Sequence, residues 1–280
     1  MAKVIGGVTT SHIPAIGNAM ANNKYQDPYW KPFFDGYHPV HDWLEKEKPD
    51  VAVIVYNDHG LNFFLDQIPT FAIGAAPEYV NVDEGWGIPV LPKVQGDPEL
   101  SWHIIESLIA DEFDITICQE MIVDHGMMIP MSLMWDHTKP WPVKVVPVVV
   151  NTVQHPLPSA LRCYKLGLSL GRALESYGED QKIVIFGTGG MSHQLQGERA
   201  GFINKKFDVM FMEKIVNEPE ELTKYTNTEL LELAGAEGVE LIMWLAMRGA
   251  LRGKVSLLHS NLKIPISNTA AGVLLLENAA

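Results

Sequence analysis

The sequence predicts an α/β protein of one domain, with a central, mostly parallel or mixed β-sheet covered by helices. Apolar runs rich in β-branched residues recur along the chain, several of them are continuous rather than alternating, and helical segments lie between them. Continuous apolar runs are typical of strands buried on both faces. Strands that alternate with helices are typical of a parallel or mixed sheet.

Six runs are predicted to be strands, at 3–8, 51–56, 69–73, 114–118, 143–150 and 182–187. Three helices are predicted between and after them. The first, 98–111, has Asp97 as its N-cap and Pro98 at its first position. The second, 159–176, has partly periodic leucines and is weakened by Gly167 and Gly171. The third runs from about 237 to 250.

Two segments between these elements have a distinct composition. The stretch 62–95 holds four prolines and places Trp86 between glycines, which predicts an ordered irregular loop of the kind that walls an active site. The acidic segment 217–229, with Pro219 at a helix start, predicts a solvated surface helix.

Composition sets limits on the function. The 280 residues are 47% hydrophobic and contain no Pro/Ser-rich linker, so we expect one domain over 1–280. A formal charge of −13 argues against nucleic acid as a partner, and an anionic substrate would need positive potential from a metal or a helix N-terminus. The sequence predicts a cytoplasmic protein without a membrane segment, because no apolar run approaches roughly 20 residues and the N-terminus lacks a secretory signal. Cys118 and Cys163 form no metal-spaced pair and are expected to be core residues in a reducing compartment.

Glu240 lies in the very apolar stretch Gly238-Val-Glu-Leu-Ile-Met-Trp-Leu245, where a helix would carry its carboxylate into the core. A buried carboxylate must be paired, protonated or bound to a metal, and no lysine or arginine lies within four residues of it. His12 and His59 follow two predicted strands. Two histidines and one carboxylate from separate elements would form a metal-binding triad.

Four of the ten histidines lie in loops at or near the end of an apolar run: His12, His59, His125 and His193. In open α/β sheets, residues just beyond the carboxyl ends of strands converge on the ligand crevice. The other six have no such context and are expected to be structural or on the surface: His38, His41, His103, His137, His155 and His259.

The spacing of residues 12, 59 and 240 matches no local metal motif, so the proposed triad rests on burial and position. Two other kinds of site are less well supported. The glycine-rich run Gly187-Thr-Gly-Gly-Met-Ser192 lacks the ending of a phosphate-binding loop, and no nucleophile elbow surrounds Ser192. A zinc hydrolase remains an alternative, since two histidines and a glutamate also suit Zn(II). A noncatalytic protein that keeps the fold is a third alternative.

Several motifs resemble those of a known family. They are Thr10-Ser-His12-Ile-Pro-Ala, Tyr56-Asn-Asp-His59, Pro69-Thr-Phe-Ala-Ile-Gly, Asp83-Glu-Gly-Trp-Gly, Val123-Asp-His125-Gly, Gly187-Thr-Gly-Gly-Met-Ser-His193-Gln-Leu-Gln-Gly, Gly235-Ala-Glu-Gly-Val-Glu240-Leu and Ile264-Pro-Ile-Ser-Asn-Thr-Ala. Together they span nearly the whole chain and resemble the class III extradiol ring-cleavage dioxygenases, in particular the catalytic β subunits of the protocatechuate 4,5-dioxygenase type. Gallate and methylgallate dioxygenases share much of the pattern.

The resemblance implies a function. It implies Fe(II)-dependent extradiol cleavage of a carboxylated catechol by O2 in the catabolism of lignin-derived aromatic compounds. The first expectation is 4,5-cleavage of protocatechuate to 4-carboxy-2-hydroxymuconate semialdehyde, and gallate or 3-O-methylgallate is the alternative substrate. The resemblance also implies a small α-type subunit in an α2β2 assembly, with a homodimer as the alternative.

The resemblance also implies residue roles. His12, His59 and Glu240 would be the iron ligands, and His193 would be the acid and base of the reaction, or else a histidine satisfied in a tight turn. His125 would hydrogen-bond substrate or oxygen, or only support other pocket residues. Ser267 and Asn268 would bind the substrate carboxylate, whereas the alternative is that Ser267-Asn268-Thr269 caps a C-terminal helix.

From their positions directly before a histidine, Asp58 and Asp124 are expected either to orient neighbouring imidazoles or to cap turns or helices.

Overall fold

An eight-stranded sheet forms the centre of the protein in the computed structural model, which describes residues 1–278. The strands of the chain are β1 (Lys3–Thr10), β2 (Val51–Tyr56), β3 (Phe71–Gly74), β4 (Glu78–Tyr79), β5 (Val94–Gln95), β6 (Thr116–Cys118), β7 (Lys144–Val150), β8 (Lys182–Thr188), β9 (Val255–Ile266) and β10 (Thr269–Asn278). The order in the large sheet is β6-β3-β7-β2-β8-β1-β10-β9, while β4 and β5 pair separately.

The sheet is mixed, which confirms the predicted fold class. Its four central strands, β7, β2, β8 and β1, are parallel, and antiparallel pairs join β3 to β7 and β10 to β1. The carboxyl ends of β1 and β8 are level, since Thr10 pairs with Thr188, and Val55 of β2 pairs with Gly187. Loops that leave these three strands therefore begin at the same edge of the sheet.

Helices cover both faces of the sheet. They are α1 (Pro14–Ala21), α2 (Lys31–Asp35), α3 (His38–Glu47), α4 (Pro98–Ala110), α5 (His125–Met134), α6 (Ala160–Ser176), α7 (Lys205–Asn217), α8 (Pro219–Leu222), α9 (Asn227–Ala234) and α10 (Leu241–Ala250). Helices α1, α2, α3 and α5 contribute to one apolar core, and α4 and α6–α10 contribute to the other. Within residues 1–278, no helix has both the length and the apolar composition needed to cross a bilayer.

Strand β2 shows why continuous apolar runs predicted this sheet. Its alternate residues Val51, Val53 and Val55 belong to one core, and the residues between them belong to the other. Side chains of a strand point to opposite faces in turn, so a strand covered by helices on both sides is apolar at every position.

The glycines of α6 have a packing function that helix propensity did not reveal. A Cβ on Gly167 would lie 2.1 Å from the carbonyl oxygen of Ala246, and one on Gly171 would lie 2.5 Å from that of Ala250. Both contacts are to α10, so the two helices approach closely because these positions carry no side chain. This packing holds α10 against the sheet and thereby positions Glu240, which directly precedes that helix.

The strand and helix predictions need four corrections. The long hairpin of β9 and β10 was not predicted. The expected helix over 237–250 is a 3-10 turn, Gly238–Glu240, followed by α10. The expected surface helix over 217–229 is the short helix α8 followed by a turn that leads into α9, and Leu222 is fully buried. The stretch 62–95 is largely irregular apart from the predicted strand β3, as expected, but it also contains the short strands β4 and β5, which were not predicted.

Candidate metal centre and cleft

The structure brings His12, His59 and Glu240 together at the carboxyl edge of the sheet. One potential ligand atom from each residue lies within 4.8 Å of those of the other two, and His12 Nε2 lies 3.4 Å from Glu240 Oε1. His12 follows β1, His59 follows β2, and Glu240 ends the 3-10 turn before α10. Three separate elements therefore supply two imidazoles and one carboxylate to a single point.

Each histidine of this group can present Nε2 to a metal. His12 Nδ1 lies 3.1 Å from Thr188 Oγ1, and His59 Nδ1 lies 2.9 Å from Asp124 Oδ2. A carboxylate oxygen only accepts, so Nδ1 of His59 carries the proton, and Thr188 can accept from His12 in the same way. Such outer partners orient the imidazoles of metal sites so that Nε2 is the atom presented to a metal. Without a metal, His59 Nε2 lies 3.1 Å from the side-chain nitrogen of Asn57.

The Glu240 carboxylate is fixed by the glycine-rich loop after β8. Its Oε2 accepts the backbone N–H of Gly190 at 2.7 Å, so Oε1 remains for His12 or a metal. Gly189 has a φ of +121°, and a Cβ there would lie 2.8 Å from Glu240 Cβ. Burial alone would raise the pKa of Glu240, but the neighbouring imidazoles of His12, His193 and His59 hold that pKa well below its usual range. The group is therefore an anion in the core.

The pair of His59 and Asp124 carries opposite charges before any metal binds. Burial lowers the pKa of His59, but the Asp124 carboxylate outweighs burial and raises that pKa to about 9. Burial likewise raises the pKa of Asp124, and His59 brings it down to about 2. Asp124 also accepts the backbone N–H of His59 at 2.6 Å and caps α5 through Gly126 N at 2.8 Å. Both predicted alternatives for Asp124 therefore hold.

The donor set fits a divalent transition metal. Two imidazole nitrogens and one carboxylate oxygen are ligands that Fe(II) and Zn(II) both accept. A second group of possible ligands, His59, Asp124 and His125, lies close by. It fits less well because both oxygens of the fully buried Asp124 already accept hydrogen bonds from the protein. The first group is thus the better candidate centre.

His125 lies beside His59, with the two ring centroids 4.0 Å apart, and it starts helix α5. Both of its donors point to one residue, because Glu84 accepts the backbone N–H at 2.7 Å and Nδ1–H at 2.6 Å. Sequence reasoning missed Glu84 as a site residue. The only signal was its position in Asp83-Glu-Gly-Trp-Gly, since turn loops with charged and aromatic residues often line sites.

His193 lies in the loop after β8 and is buried. Its Nδ1 lies 2.8 Å from the carbonyl oxygen of Met191, which can only accept, so Nδ1 carries the proton and Nε2 has the lone pair. The preceding residue, Ser192, donates its backbone N–H and its hydroxyl to Asp208, at 2.8 and 2.6 Å. Asp208 is fully buried, burial raises its pKa, and nothing in the sequence pattern pointed to it.

The predicted substrate-binding residues do not line the cleft. Ser267 and Asn268 are exposed at the turn of the β9–β10 hairpin, where Ser267 has a φ of +54° and its N–H donates to the Tyr29 hydroxyl. The next residue, Thr269, is buried, lines the cleft and pairs with His193 in an isolated bridge. The alternative of a C-terminal helix cap is wrong, because this segment is a strand hairpin.

Asp58 caps a loop instead of orienting an imidazole. Its carboxylate accepts backbone N–H groups of residues 60–63 and the side-chain amide of Asn62. Among residues 1–278, all of its hydrogen bonds go to this loop. Of the histidines expected to be structural, His41, His103 and His259 each bond to a backbone carbonyl oxygen.

A cleft of about 370 Å³ joins these groups. Its walls include the three candidate ligands together with His125 and His193, and Trp86, Leu61 and Leu195 provide apolar surface. Among the described residues, no lysine or arginine lines the cleft. The arrangement can hold a metal and an aromatic ring and can move a proton through two further histidines.

Comparison with known proteins identifies the family. Residues 6–273 match the model of the catalytic LigB subunit of aromatic ring-opening dioxygenase. The chain belongs to this LigB family. It is 47% identical over 196 residues to a gallate dioxygenase of Pseudomonas putida, a match that covers 70% of this chain and 57% of that protein.

Other relatives of the LigB chain are more distant. It is 32% identical over 146 residues to a 2,3-dihydroxyphenylpropionate/2,3-dihydroxicinnamic acid 1,2-dioxygenase of Paraburkholderia xenovorans, covering 52% of this chain and 44% of that protein. The chain spans about half the length of these curated relatives. A crystal structure of an uncharacterized Escherichia coli protein has the same fold, with a TM-score of 0.59 at 13% identity over 97% of this chain and 99% of that one.

Proposed function

We propose that this LigB chain is an Fe(II)-dependent extradiol dioxygenase that opens a carboxylated catechol, with gallate as the first candidate substrate. The observation that carries the proposal is the meeting of His12, His59 and Glu240 in a cleft that also holds His125 and His193. Gallate takes precedence over protocatechuate because the 47% identical relative is named a gallate dioxygenase. Protocatechuate and 3-O-methylgallate remain the alternatives.

The three candidate ligands would bind the metal through His12 Nε2, His59 Nε2 and a Glu240 oxygen. These residues would hold Fe(II), and the bound metal would supply the chemistry that activates dioxygen toward a catechol. The protein contributes rigidity, since Thr188, Asp124 and the Gly190 N–H hold the ligands in place before substrate arrives.

His193 is proposed as the acid and base. Its Nδ1–H is engaged by Met191, so Nε2 can accept a proton from a substrate hydroxyl and return it later in the reaction. An imidazole suits both directions because its ordinary pKa of about 6.5 lies near neutral pH. The Ser192 contacts with Asp208 hold the loop that carries this ring.

His125 is proposed to contact substrate or oxygen on the other side of the cleft. Because Glu84 accepts Nδ1–H, the Nε2 of this imidazole is available for a hydrogen bond. Glu84 lies in the loop that also carries Trp86, and both residues line the cleft. The position of His125 therefore depends on the order of that loop.

The carboxylate end of the substrate needs a partner beyond the described cleft. Thr269 offers a hydroxyl, and the Ser267-Asn268 turn lies next to it in the chain, but no positive side chain lines the cleft within residues 1–278. We propose that a second chain completes this end, either as a small α-type subunit in an α2β2 assembly or as a second copy. We also propose that residues 1–280 form one catalytic domain and that the protein is cytoplasmic.

The test is a substrate panel under controlled oxygen. Anaerobically purified protein loaded with Fe(II) would be mixed with air-saturated gallate, protocatechuate, 3-O-methylgallate and catechol, with and without an α-type subunit. Oxygen uptake matched by the visible absorbance of a ring-opened product is the expected result, with gallate fastest. Absence of uptake in every arm would overturn the proposal, and oxygen-independent hydrolysis by the Zn(II)-loaded protein would favour the hydrolase instead.

A variant of the acid and base separates chemistry from metal binding. His193→Ala should keep its iron, because the triad lies on other residues, and should lose about 10²- to 10⁴-fold in turnover. Iron content by elemental analysis and oxygen uptake are measured on the same sample. Near-normal turnover would remove the assignment of His193.

A further inference from the structure

A small chamber lies behind the pair of His125 and Glu84. Its volume is about 30 Å³, and helices α1 and α5 and the loop around Ile88 enclose it. Gly17 of α1 makes this packing possible, because a Cβ there would lie 2.6 Å from Ile88 Cδ1 and 3.2 Å from Ile129 Cγ1. The chamber shares His125 and Glu84 with the catalytic cleft, so the two spaces meet at that pair.

The walls of the chamber are mostly apolar, and most of their polar groups are already bonded within the protein. The side chain of Asn81 bonds both the N–H and the carbonyl oxygen of Leu91, and the Ser132 hydroxyl donates to the carbonyl oxygen of Met128. A water molecule held in such a space needs two to four polar partners, whereas small apolar guests bind in apolar cavities without them.

The chamber also continues outward. A groove of about 530 Å³ between α3 and the end of α5 shares Met20, Ser132 and His137 with it. Groove, chamber and cleft therefore follow one another in a row, joined first by these three residues and then by His125 and Glu84. Trp86 and Leu195 line the cleft and are each 52% exposed, so they mark its mouth, whereas the chamber borders the cleft at His125 and Glu84.

We propose that this row of spaces is an access route for dioxygen, and that the chamber is its binding site before it reaches the cleft. A small apolar diatomic molecule fits the chamber, whereas a catechol carboxylate is too large and too polar for it. The organic substrate enters through the mouth of the cleft and so does not block the route for oxygen. The inference rests on the proposed dioxygenase function.

Narrowing the route at Ser132 tests the proposal. Ser132→Leu places a larger side chain where groove and chamber meet, at a residue that does not line the cleft. The expected result is that kcat/KM for dioxygen falls by about threefold or more, while kcat at saturating oxygen and KM for the aromatic substrate stay unchanged, because only the association of oxygen is slowed. Ser107→Leu is the matched control, since Ser107 is also a half-buried helical serine that donates to the carbonyl oxygen four residues before it.

A second measurement does not depend on turnover. Methyl NMR spectra of the metal-free protein under nitrogen and under dissolved dioxygen would show paramagnetic relaxation wherever oxygen resides. The expected result is stronger relaxation at the methyl groups of Met128 and Ile129, which line the chamber, than at the methyl group of Met131, which is also buried but does not line it. Ser132→Leu should weaken this enhancement.

The outcomes separate this inference from the proposed function. If wild-type protein consumes oxygen but Ser132→Leu keeps its kcat/KM for dioxygen, the route is refuted and the dioxygenase stands. Equal relaxation at Met128 and Met131 would refute the binding site. If no substrate drives oxygen uptake by wild type, the proposed function fails, and selective relaxation at Met128 would then show only that the chamber binds gas.

Discussion

Replacing Gly190 with alanine tests whether catalysis depends on the position of the His193 ring. An alanine Cβ would lie 2.5 Å from His193 Cε1 and 2.8 Å from its Nδ1, whereas ordinary contacts begin at 3.4 Å. The imidazole would have to move by about 1 Å, and a displacement of that size at a reacting group costs about 100-fold in rate. Its hydrogen bond to the Met191 carbonyl oxygen, 2.8 Å long, would be strained or lost.

The substitution leaves the metal centre in place. The N–H of residue 190 that donates to Glu240 is kept, and the backbone there does not have a positive φ, so alanine can adopt it. We therefore expect kcat for the aromatic substrate to fall about 100-fold while iron content stays at the wild-type value. Gly178→Ala is the control, because no atom lies within 4 Å of a Cβ at that position.

Oxygen uptake at saturating substrate and iron content by elemental analysis are measured on the same preparations. A kcat within about twofold of wild type at normal iron content would refute the reasoning. Such a result would mean either that the His193 imidazole adopts another orientation that supports turnover or that turnover does not depend on its position. Loss of iron in Gly190→Ala would show instead that the loop acts through Glu240.

Three further predictions concern metal, protons and packing. Glu240→Ala should lose its iron on anaerobic gel filtration, and unchanged iron content would contradict the proposed ligand set. Because Asp124 raises the pKa of His59 to about 9, that imidazole is protonated at pH 7 and must release about one proton when a metal binds. Calorimetry of metal binding in buffers of different ionisation enthalpy should show this proton release. The variant Asp124→Asn should release fewer protons, because without the carboxylate burial lowers the pKa of His59. Equal proton release by both proteins would argue against the ion pair of His59 and Asp124. Gly167→Ala should lower the free energy of unfolding by about 1–3 kcal/mol in urea, because its Cβ meets the carbonyl oxygen of Ala246 at 2.1 Å, and an unchanged midpoint would show that α6 can move away.

Local patterns of apolar residues were sufficient to predict most strands of the large sheet. Each of the six predicted apolar runs overlaps a strand. In five of them nearly continuous burial leaves a continuous apolar signature in the sequence, whereas β6 at the edge of the sheet is largely exposed. Of the two strands in the unpredicted hairpin, β10 is buried between β1 and β9, and its segment was expected as a possible C-terminal helix, whereas β9 forms the edge of the sheet. Most of β9 is only partly buried or exposed, and Pro265 interrupts its pattern, so the run does not look like a core strand.

The candidate ligands could be found from burial and position. A carboxylate amid apolar residues is costly wherever it folds, so the composition around Glu240 alone indicates that this residue needs a partner. Loop histidines after predicted strands pointed to the same edge. Ser267 and Asn268 form a turn whose direction only the hairpin defines, and Thr269 lines the cleft next to it, so the role of that turn in binding substrate stays a prediction.

The sequence by itself determined the fold class, the three residues that meet at the candidate metal centre and the two further histidines beside it. The fold class follows from the period of apolar residues, Glu240 from the cost of a buried charge, and the histidines from their positions at or near the ends of apolar runs, and all three signals are local. Only the tertiary structure showed that Glu84 orients His125, that Thr188 faces His12, and that a chamber lies behind the cleft. Those partners are 41 and 176 residues apart in the chain, and their contacts depend on how helices and loops pack across the sheet.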